Sequence, residues 1–345
     1  MLLSPEGLRG LNRLVAPGGL ESLVASRLRI EGPVHALADL ARRATLVVVP
    51  THLSNLDSPV MGYALQLAGL PPTTYGAGKN LFTNPVLGFF MRNCGAYRVD
   101  RRLRHDLYKD VLKTYSQVIL ERGYHSMFFP GGTRSRSGMV EKHLKLGLLG
   151  TTLPATVARL RRAARLEDGP PVPPIYIVPA TINFQLVLEA ETLIADYLKE
   201  TGKARFIIED DESANPLKIL QFGRSLLRLT GEGVVRFGAP LDVLGNPVDD
   251  EGRSLDPQGR PVDVGAYFQV GGEPRVVPQR DAEYMQDLGH TIVASYQKNT
   301  VLMATHLVAA VAFAKLGRAL PGLDLYTRLR APLEGVDLAL DLPSV

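Results

Sequence analysis

The sequence predicts a single α/β domain on a mixed, largely parallel sheet flanked by helices. Three observations carry that expectation. Short apolar, strand-like runs recur at TLVVVP (45–50), SMFF (126–129), PIYIVPATI (174–182) and GVVRFG (233–238). Helix-periodic stretches separate several of them, and strands that alternate with helices pair in parallel. No long repeat or low-complexity linker interrupts the series.

Taken in order, residues 1–44 read as an amphipathic helical segment, broken at Pro17 and Gly18–Gly19 and set before a main domain at 45–345. TLVVVP is short, β-branched and apolar, which predicts a buried strand. Residues 58–69 read as a helix. So does DLYKDVLKTYSQVILERG (106–123), which Gly123 stops. SMFF is a second strand, followed at once by Pro130, Gly131 and Gly132; 174–182 and 233–238 are the third and fourth. Residues 242–280 are rich in Gly, Pro and Asp and carry two similar turns, DEGR and PQGR, so they read as an excursion of hairpins. They lack the spaced acidic ligands of a calcium-binding loop. Two helices from 281 onward close the chain.

Of the 345 residues, 45% are hydrophobic and 21% charged, the balance of a folded globular protein. A net charge of +4 suits anionic substrates or an anionic membrane surface and is too small to argue for nucleic acid. The single cysteine, Cys94, cannot form an internal disulfide and fits a reducing compartment. The first residues show no basic-then-apolar targeting pattern. The longest apolar stretch, 301–316, is interrupted by His306 and Lys315, so it reads as a buried or interfacial helix rather than a span. The resulting expectation is a cytoplasmic protein, peripheral on the inner face of the membrane.

Two stretches carry candidate chemistry. In VVVPTHLSNLDSPV (47–60), His52 and Asp57 follow the first strand directly. Five residues apart on one helix they would diverge by roughly 140°. They meet only if His52 lies on the turn and Asp57 in the first turn of the next helix. Ser54 and Asp57 have the spacing of a capping box, which puts Asp57 there. Two readings follow: Asp57 merely caps a helix, or it fixes the tautomer of His52 so that the other ring nitrogen can take a proton from a substrate hydroxyl.

The second stretch is FFPGGTRSRSG (128–138). Its glycines let backbone approach a ligand, Thr133, Ser135 and Ser137 offer hydroxyls, and Arg134 and Arg136 offer forks matched to phosphate. It is either a phosphate cradle or a solvated turn. It lacks the spacing of a nucleotide-binding P-loop. Upstream, Arg98, Arg101, Arg102 and Arg104 crowd seven positions. Lys79 is a further, weaker candidate. His105, His125 and His143 show no metal-ligand spacing, so no metal is expected.

Four ordered blocks make the chain resemble the glycerolipid acyltransferases, the family of glycerol-3-phosphate, dihydroxyacetone-phosphate and lysophosphatidic acid acyltransferases. Thr51-His52-Leu-Ser54-Asn-Leu-Asp57 resembles the family's N-H-x-S-x-x-D. Gly95 to Arg101 resembles G-x-x-F-[IV]-x-R, which singles out Arg101. Phe129 to Ser135 resembles F-P-E-G-T-R-S, and Val178 to Ile182 resembles the V-P-[VA]-x-[IV] strand. The extension Ser135-Arg136-Ser137-Gly138, the strand in GEGVVRFGAP and the closing SYQKNTVLMATHLVAAV are similar to the glycerol-3-phosphate branch. Two positions depart from the pattern: Thr51 stands for Asn, and Gly131 for a Glu that the family associates with acceptor binding or site integrity.

The resemblance implies transfer of a fatty acyl group from a coenzyme A or acyl carrier protein thioester, a co-substrate with no further cofactor, to the hydroxyl of a phosphate-bearing glycerol. His52 would act as base, oriented by Asp57. Arg101, Gly132, Thr133, Arg134 and Ser135 would bind the acceptor phosphate. The segments 80–91 and 144–153 are candidates for an acyl channel or plain core. Two alternatives accompany this expectation. One is the same chemistry on lysophosphatidic acid. The other is a catalytically weakened lipid-binding homologue, for which Gly131 is the support.

Overall fold

The computed structural model describes residues 27–54, 57–83, 85–100, 103, 105–132, 134–135, 140–165, 173–185, 187 and 232–316. Their main element is a seven-stranded sheet. In chain order its strands are β1 (Leu28–Glu31), β2 (Thr45–Pro50), β3 (Thr74–Gly78), β4 (Ala96–Val99), β5 (Ser126–Met127), β6 (Ile175–Phe184) and β7 (Gly233–Phe237). In space the order is β1-β7-β6-β2-β5-β3-β4. The five strands from β6 to β4 run parallel, β7 pairs antiparallel with β6, and β1 runs parallel to β7. The sheet is therefore mixed and largely parallel, as the sequence predicts, and β2 is its middle strand.

Alternation along β2 builds two cores. Leu46 and Val48 face one cluster, with Leu37 and Leu40 of α1 (Val34–Ala41) and Met61, Ala64 and Leu65 of α2 (Asp57–Leu67). Val47 and Val49 face the other. That side is covered by α4 (Asp106–Glu121), the short α5 (Leu146–Leu149), α6 (Thr152–Ala164) and α7 (Pro278–Asn299), the α3 helix (Pro85–Asn93) lying earlier in the chain. Every residue of β2 is buried, which is why its sequence is an unbroken apolar run rather than an alternation. Each large side chain buried this way contributes about 1.5–3 kcal/mol.

The expectation of a helical segment at 1–44, separate from the domain, needs correction for its described part. Leu28–Glu31 is a strand, because Leu-Arg-Ile-Glu alternates and its edge position lets Glu31 accept from Arg236 of β7 at 2.7 Å. The α1 helix that follows shares a core with β2, so no boundary falls at residue 44. Residues 1–26 lie outside the described residues.

Two further strands, β3 and β4, escape the sequence reading. TYGAG and AYRV are short and contain no apolar run. Gly76 is small because a Cβ there would come within 3.0 Å of Val99 on the neighbouring strand. Residues 242–280 hold two short hairpins: β8 (Ser254–Leu255) pairs with β9 (Pro261–Val262), and β10 (Gln269–Val270) with β11 (Glu273–Pro274). The twin turns are built alike. Asp249 accepts from the Arg253 backbone and guanidinium, and Asp256 does the same with Arg260. After α7, α8 (Ala304–Leu316) ends the described chain. No described helix is long and apolar enough to cross a membrane.

Candidate active site

The carboxyl end of β2 delivers Thr51 and His52 to the edge of the sheet, where parallel strands commonly present their ligands. Thr51 is buried. Its hydroxyl accepts the Ile182 N–H at 3.0 Å and its own N–H donates to Ala180 at 3.0 Å. The residue that departs from the family pattern thus ties the end of β2 to β6. The V-P-A-T-I block supplies that neighbouring strand, with Val178, Ala180 and Ile182 in the first core.

His52 and Asp57 meet. His52 Nδ1 lies 2.8 Å from Asp57 Oδ2, and the Leu53 and Ser54 N–H groups donate to the same oxygen at 2.6 and 2.8 Å. The capping contact and the contact with the imidazole therefore share one atom, Asp57 Oδ2. Because Oδ2 already accepts two backbone donors, the hydrogen-bond pattern assigns the ring proton to Nδ1 and leaves Nε2 as the basic nitrogen. Asp57 is fully buried, and burial pushes its carboxyl above the ordinary range against the pull of His52, Ser54 and Leu53. The imidazole stacks on Phe129 with ring centroids 4.3 Å apart and planes 25° apart. Its side chain is 14% exposed, whereas that of Asp57 is fully buried.

The glycine–arginine loop folds onto this turn. Ser135 N–H donates to the His52 carbonyl at 2.7 Å, joining the first and third blocks through backbone. Gly132 has φ +76°, a left-handed conformation that favours glycine, and its N–H donates to the Phe129 carbonyl at 3.0 Å. Arg134 is half-buried and makes no ion pair among the described residues. So His52, Asp57, Gly132, Arg134 and Ser135 belong to one neighbourhood. Arg101 and Thr133 lie outside the described residues, as do Arg102, Arg104, Arg136 and Ser137.

Three weaker candidates go elsewhere. Lys79 pairs with Asp100 at 3.0 Å. Arg98 lies over the Phe82 ring, 5.1 Å from its centroid. In the suggested acyl-channel segment at 144–153, Leu149 and Leu153 are buried in the second core.

Sequence reasoning missed three residues here. Lys145 packs over Gly132, its ammonium 2.6 Å from where a Cβ would stand, which adds a cation beside the loop. Tyr296 of α7 is buried and donates to the Val49 carbonyl at 2.8 Å, anchoring the end of β2 from below. Glu141 Oε1 accepts the His52 N–H at 3.2 Å. Burial raises the Glu141 carboxyl above its ordinary range, and Asp57 nearby adds to that rise. No local motif flags any of the three, since each reaches the site from a distant position in the chain.

The described part of the site is thus an imidazole paired with a buried carboxyl group, beside a glycine loop that carries Arg134. Residues 33–183, which hold β2, the His52–Asp57 pair and the loop, match the model of a family described as Acyltransferase. The relatives sharpen this. The chain is 30% identical over 209 residues to the glycerol-3-phosphate acyltransferase of Pseudomonas paraeruginosa (strain DSM 24068 / PA7), a match covering 60% of this chain and 22% of that protein. It is 33% identical over 251 residues to the enzyme of that name from Actinobacillus succinogenes, covering 68% of this chain and 28% of that one. The chain thus spans less than a third of the length of these relatives. Among solved structures, a 1-acyl-sn-glycerophosphate acyltransferase from Thermotoga maritima aligns with a TM-score of 0.39 and 13% identity, covering 86% of this chain and 82% of that one.

Proposed function

We propose that this protein transfers a fatty acyl group from an acyl thioester, on coenzyme A or acyl carrier protein, to a hydroxyl of glycerol 3-phosphate. The observation that carries the reading is the 2.8 Å contact between His52 Nδ1 and a buried carboxylate, on a turn bonded to the Arg134–Ser135 backbone. The glycerol-3-phosphate acyltransferase names of the relatives favour this acceptor.

In this mechanism His52 Nε2 removes the acceptor hydroxyl proton as that oxygen bonds to the thioester carbonyl carbon. The carbon–sulfur bond then breaks, the ester remains on the glycerol, and the thiolate takes the proton back from His52. Asp57 holds the ring and stabilises its cationic form. General-base help of this kind is worth about 10²–10⁴-fold. Arg134, with Gly132, Ser135 and Lys145 around it, binds the acceptor phosphate; Arg101 and Thr133 are assigned to the same role from the family blocks. Holding the hydroxyl against the carbonyl contributes as much as proton removal does.

The reading carries with it peripheral contact with an anionic bilayer on the cytoplasmic side. Its support is an exposed stripe on α4, Leu107, Val111 and Tyr115, which are 67%, 58% and 48% exposed at four-residue spacing beside Lys109 and Lys113.

The test is an acceptor panel. Purified protein is given palmitoyl-CoA or the acyl carrier protein thioester, with glycerol 3-phosphate, dihydroxyacetone phosphate or lysophosphatidic acid. Glycerol 3-phosphate is expected to give the highest kcat/KM, and His52→Ala none above background. Preference for lysophosphatidic acid would move the assignment to the alternative acceptor, and no thioester consumption with any of them would end it.

A further inference from the structure

We infer that Glu141 supplies, from a later loop, the carboxylate that the third block lacks at position 131, and that it acts as a positioning residue for His52. The inference rests on the acyl-transfer reading above and names a residue that reading does not use.

A Cβ built on Gly131 would stand 2.7 Å from Glu141 Oε1, 2.9 Å from its Cγ and 3.2 Å from its Cδ. All three nearest atoms are Glu141's, so its carboxylate fills the volume that a side chain at 131 would enter. Gly131 is not among the residues with positive φ, in contrast to Gly132. The backbone therefore does not require glycine at 131; the occupied space does.

The carboxylate also has a task there. Oε1 accepts the His52 N–H while the Ser135 N–H donates to the His52 carbonyl, so both peptide groups of His52 are held and the backbone that carries the ring is set in place. The chain around Glu141 is held in turn, because Lys145 N–H donates to the Pro130 carbonyl at 2.7 Å. Glu141 Oε2 is buried with no hydrogen-bond partner among the described residues. Burying an incompletely satisfied acid costs stability, so packing alone gives no reason for glutamate at this place. The pairing of a missing carboxylate at 131 with a supplied one at 141 is a relocation of one group, and it argues against the weakened-homologue alternative.

Five proteins test it: wild type, Glu141→Ala, Glu141→Gln, Gly131→Glu and the double variant Gly131→Glu/Glu141→Ala. Each is assayed for kcat and acceptor KM with palmitoyl-CoA and glycerol 3-phosphate, alongside its melting temperature. Glu141→Ala is expected to lower kcat about 10- to 100-fold, as loss of reactant alignment does, with acceptor KM within about threefold. Gly131→Glu alone is expected to lower it too, because two carboxylates then compete for one volume. The double variant is expected to recover to within about fivefold of wild type, a coupling that independent sites would not show. Glu141→Gln, which keeps an oxygen for the His52 N–H, is expected to retain most activity.

Wild-type kcat in Glu141→Ala would overturn the inference, as would a double variant no better than Glu141→Ala. If Glu141→Ala does not fold, the double variant decides: folded and active supports the inference, and inactive or unfolded overturns it. An active wild type with an indifferent Glu141 sinks this inference alone. A wild type that acylates no acceptor sinks the acyl-transfer reading beneath it.

Discussion

The two ends of β2 hold opposite kinds of polar chemistry. At its start, the buried Arg159 of α6 donates to Thr45 Oγ1 at 2.6 Å and to the carbonyls of Leu120, Pro173 and Pro174. His125 Nδ1 accepts the Leu46 N–H there at 3.0 Å. Burial lowers the Arg159 guanidinium to about 10, which leaves it charged at neutral pH, and burial with the Arg159 charge also lowers His125. At the far end sit two acids, the buried Asp57 and the half-buried Glu141, each with one buried oxygen lacking a partner among the described residues. The first end spends its polar groups on closing the fold. The second keeps groups in reserve, and unsatisfied buried polar atoms in a folded protein point to work beyond packing. His52 and His125 thus have different fates: one pairs with a buried carboxyl group, the other serves as a backbone acceptor.

Substitutions at the two ends sharpen that contrast. His52→Ala carries the largest expected effect, a fall in kcat of about 10²–10⁴-fold with an unchanged melting temperature, read by thioester consumption and calorimetry. Arg159→Ala is expected to do the reverse. It strands several buried carbonyls and should cost about 3 kcal/mol of unfolding free energy in urea titrations, with kcat per folded molecule preserved. A catalytic loss without a stability loss at Arg159 would break the comparison.

Arg134→Ala is smaller: acceptor KM is expected to rise about tenfold with kcat nearly unchanged, the mark of lost ground-state binding to the phosphate. An unaffected KM would remove Arg134 from the phosphate site. The smallest effect belongs to His125. Its folded form resists protonation, so below about pH 6.5 the unfolded chain binds the extra proton and stability falls as pH falls. His125→Asn is expected to flatten that acid-side slope of the melting temperature by a few degrees or less. An unchanged slope would show that His125 does not contribute to it.

The sequence made β2 legible because a strand buried on both faces needs an apolar residue at every position. It made the dyad legible because His52, Ser54 and Asp57 are neighbours along one turn, where spacing alone limits geometry. The Gly132–Ser135 loop was readable for the same reason. β3 and β4 were not readable, since strands of small residues owe their pairing to neighbours rather than to their own hydrophobicity. Residues 28–31 read as helix in the sequence, but an edge pairing with β7, some two hundred residues on, outweighs that local pattern.

By itself, then, the sequence determined the fold class, the buried middle strand and the chemical character of the turn that follows it, all consequences of interactions between residues close in the chain. Only the tertiary structure decided which distant groups complete that turn. Glu141 and Lys145 arrive from the segment before α5 and Tyr296 from α7, and their contacts depend on how the sheet and its covering helices pack, which no local pattern encodes.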